Sequence, residues 1–200
     1  SDVNEKPLVE AQTFSLAENS VAGTLVGTVV ATDPDLPPQT LSYAITGGNT
    51  ENVFEIDGSG EIRVATDAVL DFETTPSYAL TVEVTDDGNP ALSETATITV
   101  NLSDVNDEAP VLDLDADDSS GNAGSGYITG FVGGGDAVVI ADVDASLADL
   151  DSLELVSLIV TISNPLDGAA ELLMADTSGL SIQADYSAGV LTLSGADSVA

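Results

Sequence analysis

The 200 residues include no cysteine, no histidine and no tryptophan, and the only basic side chains are Lys6 and Arg63. Without cysteine, no disulfide framework can hold the fold and no thiolate can bind a metal. Without histidine, there is no imidazole to act as general base, charge relay or metal ligand. Two basic residues against 35 acids leave a formal charge of −33, and repulsion on that scale excludes nucleic acid and anionic membrane as partners. Carboxylates are abundant, but a glycosidase would set them in a cleft with aromatic platforms for sugars. Four Phe and four Tyr, several at core-like positions, are too few, and no enzymatic activity is expected. No uncharged stretch is long enough to span a bilayer, and no basic segment followed by an apolar one marks a signal peptide.

What the chain does have is apolar material, 43% of its residues, which is enough for hydrophobic cores and argues against wholesale disorder. The length suits one or two domains. The acidic excess fits a protein partly neutralised by bound cations, and a strongly solvated surface is the plainer reading of the same excess.

Short strand-like runs punctuated by Gly, Pro, Asn and Asp fill residues 8–103. Thr24–Ala31 is rich in β-branched residues and ends at Asp33-Pro34-Asp35. Leu41–Thr46 alternates and stops at Gly47-Gly48-Asn49, while Val53–Ile56 and Ile62–Val64 flank a hairpin-like Asp57-Gly58-Ser59-Gly60. Tyr78, Leu80, Val82 and Val84 alternate, as do Ala96, Ile98, Val100 and Leu102. Period two buries one face of each of these two strands. About seven strands without helical periodicity predict an antiparallel Greek-key, immunoglobulin-like β-sandwich.

Beyond Pro110 the texture changes. Residues 113–126 are rich in Asp, Ser, Gly and Asn, and suit an extended loop or a weak first strand. Strands are expected at Tyr127–Phe131, Ala137–Ala141, Leu155–Ile162 and Gly189–Leu193, with a further one favoured at Glu171–Ala175. Turn signals stand at Gly133-Gly134-Gly135, Asn164-Pro165 and Asp167-Gly168. Residues 111–200 therefore read as a second all-β module, incomplete at its C-terminal end.

Two oxygen-rich, proline-ended runs bound the first module: Asp2-Val3-Asn4-Glu5-Lys6-Pro7 and Asp104-Val105-Asn106-Asp107-Glu108-Ala109-Pro110. Clustered Asp and Asn oxygens suit Ca²⁺, which takes six to eight oxygen ligands in loose geometry. Further acids fall at strand ends: Glu18, Asp33 with Asp35, Asp71 with Glu73, and Asp86. In an extended segment, acids two residues apart share a side, so Asp71 and Glu73 are expected to act on one ion, and Asp33 and Asp35 on another. Converging carboxylates raise one another's pKa values, and a bound cation reverses that effect.

At these residues the chain resembles cadherin repeats. Glu18-Asn19, Asp33-Pro34-Asp35, Leu70-Asp71-Phe72-Glu73, Asp86-Asp87-Gly88-Asn89-Pro90 and Asp104 to Pro110 stand where the family has Glu-Asn, Asp-x-Asp, Leu-Asp-Arg-Glu, Asp-x-Gly-x-Pro and Asp-x-Asn-Asp-Asn-x-Pro. The departures are Phe72 for Arg and Glu108 for Asn. The resemblance implies tandem β-sandwiches joined by a calcium-binding linker: a truncated upstream linker at 1–7, a sandwich at 8–103, the linker at 104–110 and the second module at 111–200. It implies that Glu18, Asp71 and Glu73 form the floor of a Ca²⁺ site, crossed by Asp104 and Asp107. Val105 and Glu108 would offer backbone oxygens, and Asn106 would turn towards the second module, whose Asp149-Leu150-Asp151 is the best match to the next Asp-x-Asp loop. Asn4, Asp33, Asp35 and Asp86 would form half of an equivalent site facing an upstream repeat.

In the second module, the Val111-Leu112-Asp113-Leu114-Asp115 opening, the Gly-rich turn and Asp149-Leu150-Asp151-Ser152 resemble cadherin-like repeats of very large bacterial surface adhesins. The function implied is a calcium-stiffened adhesion or stalk module outside the cell, whose partners are neighbouring repeats, other surface proteins, glycans or matrix. A Ca²⁺-dependent carbohydrate-binding module and a passive acidic spacer are the alternatives.

Other acidic signals invite plainer readings. Asp113, Asp115 and Asp117 resemble the opening of an EF-hand loop, but Asp118 stands where that loop needs Gly and Gly124 where it needs Glu. Loosely held Ca²⁺ or a solvated strand is expected there. Asp142 and Asp144 are read as the solvated face of an alternating strand, with a metal role as the alternative.

Overall fold

The computed structural model describes residues 3–130, 136–152, 154–163 and 172–198. The chain forms two compact units, Ser1–Val105 and Asn106–Ala200.

The described residues of the first unit form nine strands: β1 (Leu8–Val9), β2 (Gln12–Ala17), β3 (Leu25–Thr28), β4 (Ala31–Thr32), β5 (Ser42–Gly47), β6 (Phe54–Ile56), β7 (Glu61–Val64), β8 (Ser77–Thr85) and β9 (Ser93–Ser103). A four-stranded sheet has the order β2-β9-β8-β5, a three-stranded sheet the order β3-β7-β6, and β1 pairs with β4. Alternation in β8 and β9 works as the sequence predicts: Leu80, Val82, Val84, Ile98 and Val100 are completely buried. They pack in one core with Phe54, Ile62 and Val64 of the other sheet. Phe54 and Tyr78 meet edge to face across the sandwich, with ring centroids 5.1 Å apart and planes at 88°. This geometry exceeds simple area burial in strength. The result is an all-β Greek-key sandwich.

Two features of the sheet position the acids. β2 runs parallel to β9, with Ala17 beside Ser103, so both strands end together and hand Glu18 and Asp104 to the same end of the unit. β5 and β9 both pair with β8 in antiparallel register, Ser42 and Ser93 each lying opposite Thr85. The loops at 33–41 and 86–92 therefore share the opposite end with the leading residues.

The second unit contains β10 (Val111–Asp113), β11 (Ser146–Ala148), β12 (Glu154–Thr161), β13 (Gln183–Ser187) and β14 (Val190–Ser198). β10 pairs with β11, and the other three form a sheet in the order β12-β14-β13. The β13–β14 hairpin turns on Ala188 and Gly189, both left-handed at φ 52° and 86°, the pattern of a tight two-residue connection.

β12 and β14 lie where strands are expected. Three other expectations fail among the described residues: 127–130, 137–141 and 172–175 form no strand. Val138, Val139 and Ile140 have strand propensity but are exposed and pair with no neighbour, and β propensity acts chiefly through packing on an existing sheet. The turn signals at Gly133–Gly135, Asn164-Pro165 and Asp167-Gly168 lie outside the described residues.

Candidate metal centres

Glu18, Glu73 and Asp104 each bring a carboxylate oxygen within 4.8 Å of the others. Glu18 is only 3% exposed and is held from two sides. Its Oε2 accepts the Phe72 amide at 2.6 Å and its Oε1 the Val105 amide at 2.7 Å. One side chain thereby ties the end of β2 to the turn before β8 and to the exit from β9. Glu73 has no such support: its Oε1 is sealed from solvent and meets no donor. A hydrogen bond from its own amide lowers its pKa, but burial and the charges of Glu18, Asp104 and Asp71 outweigh this and raise it. Three carboxylates around an orphaned oxygen are a donor set that fits a hard cation such as Ca²⁺.

Asp71 departs from expectation. Residues 72–74 form a turn, not an extended segment, so Asp71 and Glu73 do not share a side by strand geometry. Asp71 closes the turn instead, accepting the Thr74 hydroxyl and amide, each at 2.8 Å. The Thr74 hydroxyl is the largest influence lowering its pKa, followed by the amide.

At the opposite end of the unit, Asn4, Asp33, Asp35 and Asp86 join one network. Asp33 Oδ1 accepts the amides of Asp35 and Gln39 at 2.9 and 3.2 Å, while its Oδ2 is buried without a donor. Asp35, 4% exposed, accepts the Glu5 amide at 3.2 Å and the Gln39 side-chain amide at 3.0 Å. Asp86, equally buried, takes the amides of Gly88 and Leu92 on one oxygen and the Asn4 side chain on the other. Gln39 also donates to the Asn4 side-chain oxygen. Sequence reasoning missed Gln39, whose only signal is its place directly after Pro37-Pro38 at the end of the acidic loop.

The second unit repeats part of this arrangement. Asp151 Oδ2 accepts the amides of Asp107 and Glu108 at 2.6 and 2.8 Å, and the Asn106 side chain reaches its Oδ1 at 3.3 Å. Asp149 Oδ1 accepts the amides of Asp151 and Ser152. Asp151 thus receives the run at 106–108 as Asp35 receives Glu5, and Asp149 folds back on its loop as Asp33 does. Interaction between the Asp149 and Asp151 carboxyls raises the pKa of Asp149 and lowers that of Asp151, whose backbone donors lower it further.

One grouping overturns an expectation. Asp142 and Asp144 do not lie on a strand; with Asp115 and Asp117 they bring four carboxylate oxygens within 4.8 Å of one another. The loop after β10 and the turn before β11 supply two acids each, a proximity that no local sequence pattern encodes.

Comparison with known proteins places these acids in context. Residues 12–103 match the cadherin domain family model. Protocadherin Fat 1 of Homo sapiens is 37% identical over 119 residues, which make up 57% of this chain and 3% of that protein. Protocadherin-23 of Homo sapiens is 42% identical over 97 residues, 48% of this chain and 3% of the relative. Cadherin-18 of Bos taurus is 38% identical over 115 residues, 56% of this chain and 14% of the relative. The chain therefore spans a small part of each of these proteins. Among solved structures, the human desmocollin-1 ectodomain superposes with a TM-score of 0.57 at 25% identity, covering 97% of this chain and 34% of that one. Cadherin domains are Ca²⁺-binding adhesion modules of the cell surface and not enzymes. Over residues 12–103 this chain is therefore similar to a cadherin domain.

Proposed function

We propose that this chain is part of a calcium-dependent adhesive or stalk array outside the cell, in which Ca²⁺ bound at the junction of successive repeats stiffens the array. Glu18, Asp71, Glu73, Asp104 and Asp107 would supply carboxylates, Val105 and Glu108 backbone oxygens, and Asn106, Asp149 and Asp151 the side belonging to the second unit. Asn4, Asp33, Asp35 and Asp86 would serve the preceding junction in the same way. The parent we propose is a bacterial surface protein, a reading that rests on the sequence resemblance of residues 111–200 alone. Neighbouring repeats are the first partners, and other surface proteins, glycans or matrix would meet the ends of the array.

The observation that carries this reading is the sealed, donorless Oε1 of Glu73 beside Glu18 and Asp104. These residues meet without a basic side chain, since Arg63 and Lys6 bond Glu61 and Glu94. An ion that binds the ordered junction and not the loose one stabilises it by RT ln(1 + [L]/Kd). Extracellular modules bind Ca²⁺ with Kd on the order of 10⁻⁴ to 10⁻³ M, so the sites would fill outside cells and empty in cytosol. What the chain's own residues do is hold carboxylates ready: Glu18 is fixed by two amides, and Asp151 by the amides of Asp107 and Glu108.

The test is a thermal melt in Ca²⁺, Mg²⁺ and chelator for the unchanged chain and for Glu73→Ala/Asp107→Ala. Ca²⁺ should raise the Tm of the unchanged chain more than Mg²⁺ does. The double variant should show a smaller Ca²⁺ increment while its first sandwich stays folded. An equal response to both ions, or an undiminished Ca²⁺ response in the variant, would reject the reading.

A further inference from the structure

We infer that Asp115, Asp117, Asp142 and Asp144 form a Ca²⁺ site belonging to the second unit alone. The site is separate from the Asp149–Asp151 pair, and all of its ligands lie between β10 and β11, so it stands whether or not the junction binds an ion.

Four carboxylate oxygens lie within 4.8 Å of one another. Acids can gather on a solvated surface without a metal, but two observations set this group apart. Asp115 is 0% exposed, so one of the four charges has no water to solvate it. The Oδ1 of Asp144 is likewise sealed and meets no donor, an arrangement that is costly for an ionised oxygen unless a cation faces it.

The donors present are few and neutral. Ser119 gives its amide to Asp115 and Asp117, both at 2.9 Å, and its hydroxyl to Asp142 at 2.6 Å. Ser120 gives its amide to the other oxygen of Asp115 at 2.9 Å. No basic side chain can help, because residues 106–200 contain no Lys, Arg or His.

The ligand set selects the ion. All-oxygen, carboxylate-rich sites suit Ca²⁺, Mg²⁺ and Mn²⁺. Mg²⁺ demands near-ideal octahedral geometry and keeps several waters, whereas Ca²⁺ accepts irregular sets of six to eight oxygens. A group built from two loops, with one carboxylate wholly buried, suits Ca²⁺. The same loops are already joined by the Asp142 amide, which donates to the Leu114 carbonyl at 2.8 Å. The ion would therefore clamp the start of β11 to the end of β10, a job that no disulfide can do in this chain.

Isothermal titration of the chelator-stripped full chain with CaCl₂ tests the site, comparing the unchanged chain with Asp115→Asn/Asp144→Asn and with Glu73→Gln. The double variant should bind one Ca²⁺ fewer than the unchanged chain, and Glu73→Gln should keep the ion that the double variant loses. Equal stoichiometry in the unchanged chain and the double variant would overturn the inference. Carbon-detected NMR of the unchanged chain supplies a second measurement that does not depend on how the variant folds. The carboxylate resonances of Asp115 and Asp144 should move on adding Ca²⁺ and stay largely in place with equimolar Mg²⁺. Resonances unmoved at saturating Ca²⁺ would overturn it equally.

Discussion

At the residue scale, Glu18 and Glu73 separate two jobs that a carboxylate can hold in one cluster. Glu18 satisfies two backbone amides from a buried position, so Glu18→Ala should destabilise the first unit by about 1–3 kcal/mol even in chelator, the cost of stranding buried donors. Glu73 satisfies nothing with Oε1, so Glu73→Gln should leave stability in chelator unchanged or improved while weakening Ca²⁺ binding. Urea denaturation in EDTA measures both. A third acid lies away from any candidate site. Asp57 accepts the Ser59 hydroxyl and the amides of Ser59 and Glu61, and its pKa is lowered, chiefly by that hydroxyl and then by the two amides. A lowered carboxyl stabilises the fold above the unfolded value of about 3.9 and loses that contribution as pH falls through its folded value. Asp57→Ala should therefore melt lower than the unchanged chain at neutral pH, with the gap closing under acid. A gap that does not depend on pH would contradict this.

The same residues show what the sequence makes legible. Glu18 and Asp86 are readable because they follow strands whose alternation is clean, Asp33 and Asp35 because they close a β-branched run, and the fold only has to bring those ends together. The backbone at Asp71-Phe72-Glu73 is misread because two acids around one residue suggest an extended segment, whereas residues 72–74 form a turn that Asp71 holds through Thr74. Asp115 is legible only as part of a local acidic run, and its meeting with Asp144 is not, because nothing in sequence marks two loops that meet in space.

At the element scale, β8 and β9 define the first unit, and their apolar period is the plainest signal in the chain. β13 is the opposite case. Gln183–Ser187 carries no apolar alternation and is mostly exposed, so its pairing depends on the left-handed turn at Ala188-Gly189 and on β14 beside it. Gly48 marks where one element limits another. It is left-handed at φ 74°, and a Cβ there would strike the Ala79 carbonyl of β8. Gly48→Ala combines a left-handed penalty of about 1–2 kcal/mol with a backbone collision, so it should cost about 2 kcal/mol or more by chemical denaturation. Asn49, beside it, has an ordinary φ of −93°, and its side chain pairs with the Phe54 backbone on both its donor and its acceptor.

At the scale of the whole molecule, a formal charge of −33 makes cations part of the energetics. The acids are not spread evenly. They gather at the strand ends of the first unit, along the run at 104–108 and in the loops before β11. An acidic coat serving only solubility would leave these groups in water. The buried Glu18, Asp35, Asp86 and Asp115, and the sealed oxygens of Asp33, Glu73 and Asp144, point inward instead. The cadherin likeness makes Ca²⁺ the expected counter-ion, and the proposed consequence is mechanical. Small-angle X-ray scattering of the full chain tests it most directly, in millimolar Ca²⁺, in equal Mg²⁺ and in chelator. The account predicts that Ca²⁺ alone narrows the distribution of interatomic distances to that of a single extended arrangement. Identical profiles in all three solutions would contradict it.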